Sequence, residues 1–158
     1  MAYNGSFFWV AATSADQTAY ANTGRLKTIN GTVYLSFPMR LLARRGFGTD
    51  PNVREEIKAY RDTNTRNLTR VTAEGTKTAF KLKFLGGLHN AEKIEADSWF
   101  TSHENVALQR RITLLYYDSD SDTYKTGDFY RANPHYDVIS TTADDIIWDA
   151  FEYDLAQY

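Results

Sequence analysis

Hydrophobic and polar positions alternate along several short stretches of this chain, and a period of two predicts strands. Residues 77–84 are the clearest case. Thr78, Phe80, Leu82 and Phe84 fall on one side, and Lys77, Ala79, Lys81 and Lys83 on the other. That pattern describes a half-buried strand with a cationic outer face. Phe7 to Ala12 forms a first short apolar run. Residues 25–37 carry Asn30-Gly31 between two β-favouring runs, a strong hairpin signal because both residues tolerate positive φ. Val33, Leu35 and Phe37 share one face of its second strand, and Pro38 ends it.

Residues 54–71 read as a second hairpin with Asp62 to Thr65 at the tip; helix competes over 53–60. Residues 110–131 read as a third. In its first strand Ile112, Leu114 and Tyr116 face one way and Thr113, Leu115 and Tyr117 the other. Apolar content on both faces predicts a central or doubly covered strand. His135 to Thr141 gives a short strand, residues 142–145 a turn, and the C-terminus alternates again, with Ile147, Phe151, Tyr153 and Leu155 of one parity interrupted by Asp149.

Three stretches resist the two-residue period. Residues 90–101 predict one short α-helix, with Asn90 as N-cap, Glu92 in the first turn, and Ala91, Ile94 and Ala96 as a weak apolar stripe ahead of Trp99 and Phe100. Residues 13–23 are polar and small and read as a loop or an extended arm. Residues 39–45 fit either a strand or one helical turn, and residues 46–52, with two Gly and one Pro, read as a loop. The sum is about eight strands and one helix in a single domain spanning 1–158. It is mainly β, an antiparallel β-sandwich or small barrel.

Composition sharpens this picture. At 158 residues the chain can bury a real core without disulfides or metals. Aromatics reach 15%, with 11 Tyr and 9 Phe, which favours strands and contact surfaces. A net charge of −2 argues against a generally basic nucleic-acid binder. The absence of cysteine removes thiolate catalysis and Cys-ligated zinc together. No signal peptide is read at the N-terminus, and no apolar run is long enough for a membrane span.

The candidate chemical sites are each outweighed by a structural reading. Asp118, Asp120 and Asp122 match the first three ligand positions of an EF-hand loop. Thr123 stands at the sixth position, where Gly is required, and Phe129 at the twelfth, where Glu is required, so the cluster reads as a solvated hairpin tip. His89, His103 and His135 have no metal-ligand spacing, though His89 and His103 flank the helix. Glu55-Glu56 and Asp144-Asp145 are the paired carboxylates a small hydrolase would need, but adjacency in sequence does not provide the separation across a cleft. No nucleophile elbow is present, and Gly46-Phe47-Gly48 precedes no helix. The Lys77, Lys81 and Lys83 row reads as a solvated face or a protected sheet edge rather than a phosphate site. Asn67-Leu68-Thr69 matches a glycosylation acceptor but lacks a secretion signal. Tyr116, Tyr117, Tyr124, Phe129 and Tyr130 form either core and subunit contacts or a sugar-stacking platform. No catalytic, cofactor-binding or metal-ligating residue is assigned.

The second half resembles small tail proteins of long-tailed bacteriophages, at the tail tip, baseplate or tube. The resemblance lies in Tyr60-Arg61-Asp62 before the alternating strand, then Tyr116-Tyr117-Asp118, Tyr124, Thr126-Gly127 and Phe129-Tyr130 in the hairpin, and a closing strand. It covers residues 54–158. Thr63-Asn64-Thr65 departs from the Asn-Gly expected at the first tip. The resemblance implies a non-enzymatic virion structural protein, made in the host cytoplasm. It needs no cofactor and assembles as a ring with itself and with other tail proteins, without membrane or specific nucleic-acid partners. The competing expectation is a carbohydrate-binding module for host attachment using exposed Tyr and Trp.

Overall fold

The computed structural model describes residues 3–54, 56–61, 63, 66, 68–72 and 75–158. The fold is mainly antiparallel β, with one sheet curled into a half-barrel. In chain order its elements begin with β1 (Phe8–Ala11), α1 (Ser14–Ala19), β2 (Leu26–Ile29) and β3 (Thr32–Ser36). The next are β4 (Leu42–Val53), β5 (Glu56–Arg61), β6 (Leu68–Thr72) and β7 (Lys77–Phe84). After β8 (Leu88–His89) come α2 (Asn90–Thr101), β9 (Glu104–Val106), β10 (Arg111–Asp118) and β11 (Thr123–Arg131). The chain closes with β12 (Val138–Thr141), β13 (Ile146–Trp148) and β14 (Glu152–Gln157).

The large sheet runs β2-β3-β1-β10-β11-β14-β7-β4, with β9 added beside β10. A second sheet runs β12-β13-β8, and β5 with β6 forms a two-stranded sheet of its own. The Asn30-Gly31 turn joins Ile29 to Thr32 with φ of 51° and 82°, as its sequence predicts. The predicted third hairpin is β10 with β11, paired from Arg111↔Tyr130 to Asp118↔Thr123 and central in the sheet.

Alternation places rings inside the curl. Phe80, Leu82 and Phe84 of β7 are buried with Ile112, Leu114 and Tyr116 of β10 and with Tyr153 and Leu155 of β14. Phe8 of β1 meets Phe80 edge-on at 4.7 Å, and Phe7 stacks on Phe47 of β4 at 4.3 Å. These contacts join strands far apart in the sheet order and so require the curl. Helix α2 covers this core, with Trp99 and Phe100 at 5.1 and 5.7 Å from Phe37.

The structure corrects several expectations. Residues 46–52 continue strand β4 rather than forming a loop. The register shifts twice against β7, with Gly46 and Pro51 inside the two shifts and Gly48 paired in register with Lys81. Arg45 and Asn52 take positive φ there. Gly46 is needed for close approach: a Cβ would lie 2.3 Å from the Lys83 carbonyl oxygen. Residues 39–45 combine both readings, a 3-10 turn at Met39–Leu41 followed by strand.

The segment 13–23, expected as a loop or arm, carries α1, closed by a Thr13–Asp16 capping box. In α2 the N-cap is His89 rather than Asn90, and Ile94 is exposed instead of packed. The C-terminal alternation belongs to two strands in different sheets, with the break at Asp149 to Phe151. Strand β7 is flanked by β14 and β4, so its lysines do not protect an edge. The second hairpin is present as β5 and β6; its tip residues Asp62, Asn64 and Thr65 lie outside the described residues.

Gly46→Ala is expected to destabilise the protein by about 1–3 kcal/mol, through overpacking against fixed backbone. Gly48→Ala, where a Cβ would sit 4.0 Å from its nearest neighbours, should be close to neutral. Urea unfolding of the two variants measures the difference.

Candidate functional site

The hairpin tip is a structural clamp. Asp118 ends β10 facing inward and is buried. Its carboxylate accepts from Lys125 Nζ (2.6 Å), Ser121 Oγ (2.9 Å), Asn52 Nδ2 (3.0 Å) and the Asp120 N–H (3.2 Å). Asn52 Nδ2 also donates to Asp120 Oδ2 at 2.9 Å, and Tyr117 donates its hydroxyl to Asp122 at 2.6 Å. Burial pushes the Asp118 carboxyl up, but the hydrogen bonds from Lys125, Ser121, the Asp120 backbone and Asn52 outweigh it and hold the group below its ordinary range. The three carboxylates are therefore turned toward donors. Among the described residues no group of three His, Asp or Glu side chains is placed to hold a metal ion. Ser119 to Asp122 are exposed, as expected of a solvated tip, while the buried Asp118 pins its base, and Asn52 is the residue that sequence reasoning missed. Its only signal is an Asn beside Pro51 that tolerates positive φ.

His89 and His103 sit at opposite ends of α2 and do not meet. His89 Nδ1 lies 2.5 Å from Asp145 Oδ2, and Asp145 Oδ1 accepts from the Asn90 N–H at 3.3 Å. Asp145 thus caps the helix from the turn before β13, a tertiary use of the anion preference at a helix N-terminus. It is therefore occupied rather than paired with Asp144 for hydrolysis. Glu55, half of the other carboxylate pair, and Asn67 of the acceptor pattern lie outside the described residues. His103, nearly buried, donates from Nδ1 to the Trp99 carbonyl (2.7 Å), and its Nε2 faces Asp16 at 2.6 Å. This contact ties α1 to α2. His135 is exposed beside Asp137.

The outward lysines meet an acidic row. Lys83 lies opposite Glu152 and Lys81 opposite Asp154 across the β7–β14 ladder, at 3.8–4.0 Å between charged atoms. That local neutralisation leaves little for a phosphate.

The hairpin aromatics divide. Tyr116 and Phe129 are core. Tyr117 packs against Tyr3, Phe7 and Tyr124, and the Tyr124 hydroxyl donates to the Ser6 carbonyl at 2.6 Å. Tyr130 faces solvent on the outer side of the sheet with Tyr158, their ring centroids 6.0 Å apart. Arg111 lies over the Tyr158 ring at 4.5 Å and reaches Asp128 at 2.6 Å. Beside them the small side chains of Ala79 and Ala156 floor a groove of about 880 Å³, walled by Asp50, Val53, Lys77 and Gln157. Lys77 Nζ donates to the Tyr158 carbonyl at its end. Among the described residues β2 and β4 end the large sheet, β12 stands at one end of the smaller one, and Val138 and Ile139 of β12 are half-exposed or more.

A model of the family of unknown function DUF6711 matches residues 21–158, and the chain belongs to that family. No curated protein and no solved structure matches the chain. No helix among the described residues is long and apolar enough to cross a membrane.

Two titrations check this geometry. The hydrogen bond to Asp145, reinforced by its charge, raises the His89 pKa above 6.5. Its contribution to stability is therefore complete below the unfolded value and disappears as pH rises through the folded one. An NMR titration should place the His89 midpoint above the ordinary histidine range, and Asp145→Asn should bring it back down. Asp118 works in the opposite sense: its contribution is present above the unfolded value near 3.8 and lost as pH falls through the lowered one. Asp118→Ala should cost about 1–3 kcal/mol at neutral pH, since it removes the buried acceptor that holds Asn52, Ser121 and Lys125 together. Calcium should leave the Tm of the unmodified protein unchanged.

Proposed function

We propose that this DUF6711 protein is a non-enzymatic structural component of a bacteriophage tail, which assembles with its own copies into a ring and contacts other tail proteins. The observation that carries the assembly part is the β5–β6 hairpin. It leaves the large sheet between β4 and β7, and among the described residues its two strands form a separate two-stranded sheet. A two-stranded hairpin is marginal in water without a surface to pack on. A neighbouring subunit or tail protein provides such a surface. The likeness of Tyr116-Tyr117-Asp118, Thr126-Gly127 and Phe129-Tyr130 to tail proteins supports the virion part. The clamped carboxylates and capped histidines, each held by structural partners, favour a structural role over a catalytic one.

A second reading, a carbohydrate-binding module for host attachment, is favoured by Tyr130 and Tyr158. These exposed rings stand beside Arg111 and Asp128 and suit the apolar face and hydroxyls of a sugar.

Light scattering and electron microscopy of the purified protein should reveal closed oligomers. Replacing residues 56–72 by a short Gly-Ser linker should abolish them while leaving thermal unfolding cooperative. A chain that stays monomeric at every concentration and never enters a tail particle would remove the proposal. Glycan binding that is lost in Tyr130→Ala, with assembly absent, would establish the second reading instead.

A further inference from the structure

We propose that helix α1 is held against the end of α2 by a latch that works while His103 is charged, and that loss of its proton frees residues 13–19 as a loop. The device is independent of the assembly reading, and its failure leaves that reading untouched.

The latch follows from the acceptors on either side of one ring. His103 Nδ1 lies 2.7 Å from the Trp99 carbonyl oxygen, and Nε2 lies 2.6 Å from Asp16 Oδ2. A carbonyl accepts and cannot donate, and the same holds for an ionised carboxylate. A neutral imidazole has one N–H, so either tautomer turns a lone pair toward an oxygen across one of these short contacts. The imidazolium donates to both. The His103 side chain is 6% exposed and that of Asp16 15%, so solvent is a poor substitute for the lost partner. Burial pushes the Asp16 carboxyl up, but the hydrogen bonds from His103 and Thr13, together with the His103 charge, outweigh it and hold the group below its ordinary range. The location also suits a cation, because His103 follows the last turn of α2, where the helix dipole favours positive charge. Other charged groups toward this end of α2 are Arg25 and Arg40, which bind Glu95 at 3.3 and 2.6 Å, and Glu104 at the start of β9. Asp16 is the one that meets the ring.

What the latch holds has little else to hold it. None of the six residues of α1 is buried, and Asp16 is the one among them that is not exposed. Isolated helices shorter than about 12–15 residues are marginal in water. Asp16 Oδ2 also accepts the Thr13 N–H at 2.9 Å, so the carboxylate that docks the helix closes its capping box as well. The chain on either side is anchored separately. The Ala12 N–H donates to the Val33 carbonyl at 2.9 Å, and Tyr20 packs against the core with Arg25 over its ring at 4.7 Å. Release therefore loosens the segment between these anchors and leaves the sheet intact. Docking is present above the unfolded Asp16 value near 3.8 and lost as pH falls through the lowered one. It is lost again on the alkaline side as the imidazole gives up its proton.

The chain has no cysteine, so a nitroxide on Ala15→Cys reports on α1 alone. Histidine changes charge within about pH 5–8, and the mobile component of the EPR spectrum should grow several-fold across that range. In His103→Gln it should be large and constant throughout. Asp16→Asn, whose amide can serve either charge state of the ring, should abolish the pH dependence. Asp145→Asn, at the far end of α2, should leave the transition in place. A label equally restrained across the range would overturn the latch. So would a transition that survives Asp16→Asn, or one that moves with Asp145→Asn and so belongs to His89. Should His103→Gln fail to fold, Asp16→Asn carries the test.

Discussion

The fold depends on aromatic rings meeting across the concave side of a curled sheet. Phe8 on the third strand of the sheet order touches Phe80 on the seventh, and Phe47 on the last strand packs against Phe7 and Phe8. A flat sheet would hold these strands several strand spacings apart, and neighbouring strands are about 4.8 Å apart. Ring burial and curl are thus one constraint. Rings of this size remove enough apolar surface from water to drive the curl, and their edge-to-face contacts fix its geometry. The bulges of β4 follow from it. They bend the end strand inward, and Gly46 lets its backbone lie against the Lys83 carbonyl where any side chain would collide.

Polar groups then tie the periphery to this core, and most of the ties join residues distant in sequence. Asp118 links the β10–β11 tip to the bulge of β4 through Asn52. Asp145 links the β12–β13 turn to the start of α2. Asp16 links α1 to the end of α2 through His103. Arg131 is the deepest of these groups. It is buried at the end of β11, 3.0 Å from Asp97 of α2, and lies over the rings of Phe100 and Tyr153 at 5.1 and 4.7 Å. A buried guanidinium is costly unless charge and ring faces compensate it. Those compensations come from α2 and β14, so Arg131 fixes where the helix docks on the sheet.

What the sequence made legible was whatever local periodicity controls. The strands of β7 and β10, the Asn30-Gly31 turn and the helix over 90–101 follow from alternation, turn chemistry and capping alone. Residues 46–52 of the bulged strand β4 read as a loop because Gly46, Gly48 and Pro51 are breakers in an isolated chain; partnership with β7 overrides them. Residues 13–23 read as a loop or an arm because their polar composition hides a capping box whose value depends on docking against His103. The site-level omissions have the same origin. The pinning of Asp118 beneath the solvated tip needs Asn52 and Lys125, and of the two readings of the lysine row, solvated face or protected edge, the choice needs β4 and β14 on either side and Glu152 and Asp154 beside it. In each case the deciding partner is remote in sequence.

The same physics bears on the proposed assembly. Inside the curl, rings meet edge to face, while among the described residues β2, β4 and β12 stand at the ends of their sheets. Selection for a solitary soluble protein would oppose that arrangement, since bare edges invite aggregation. It is tolerable where the edge has a designated neighbour. A sheet that closes on itself abolishes its edges, whereas a half-barrel keeps two. The proposed ring of half-barrels would meet the same requirement at the next level of organisation.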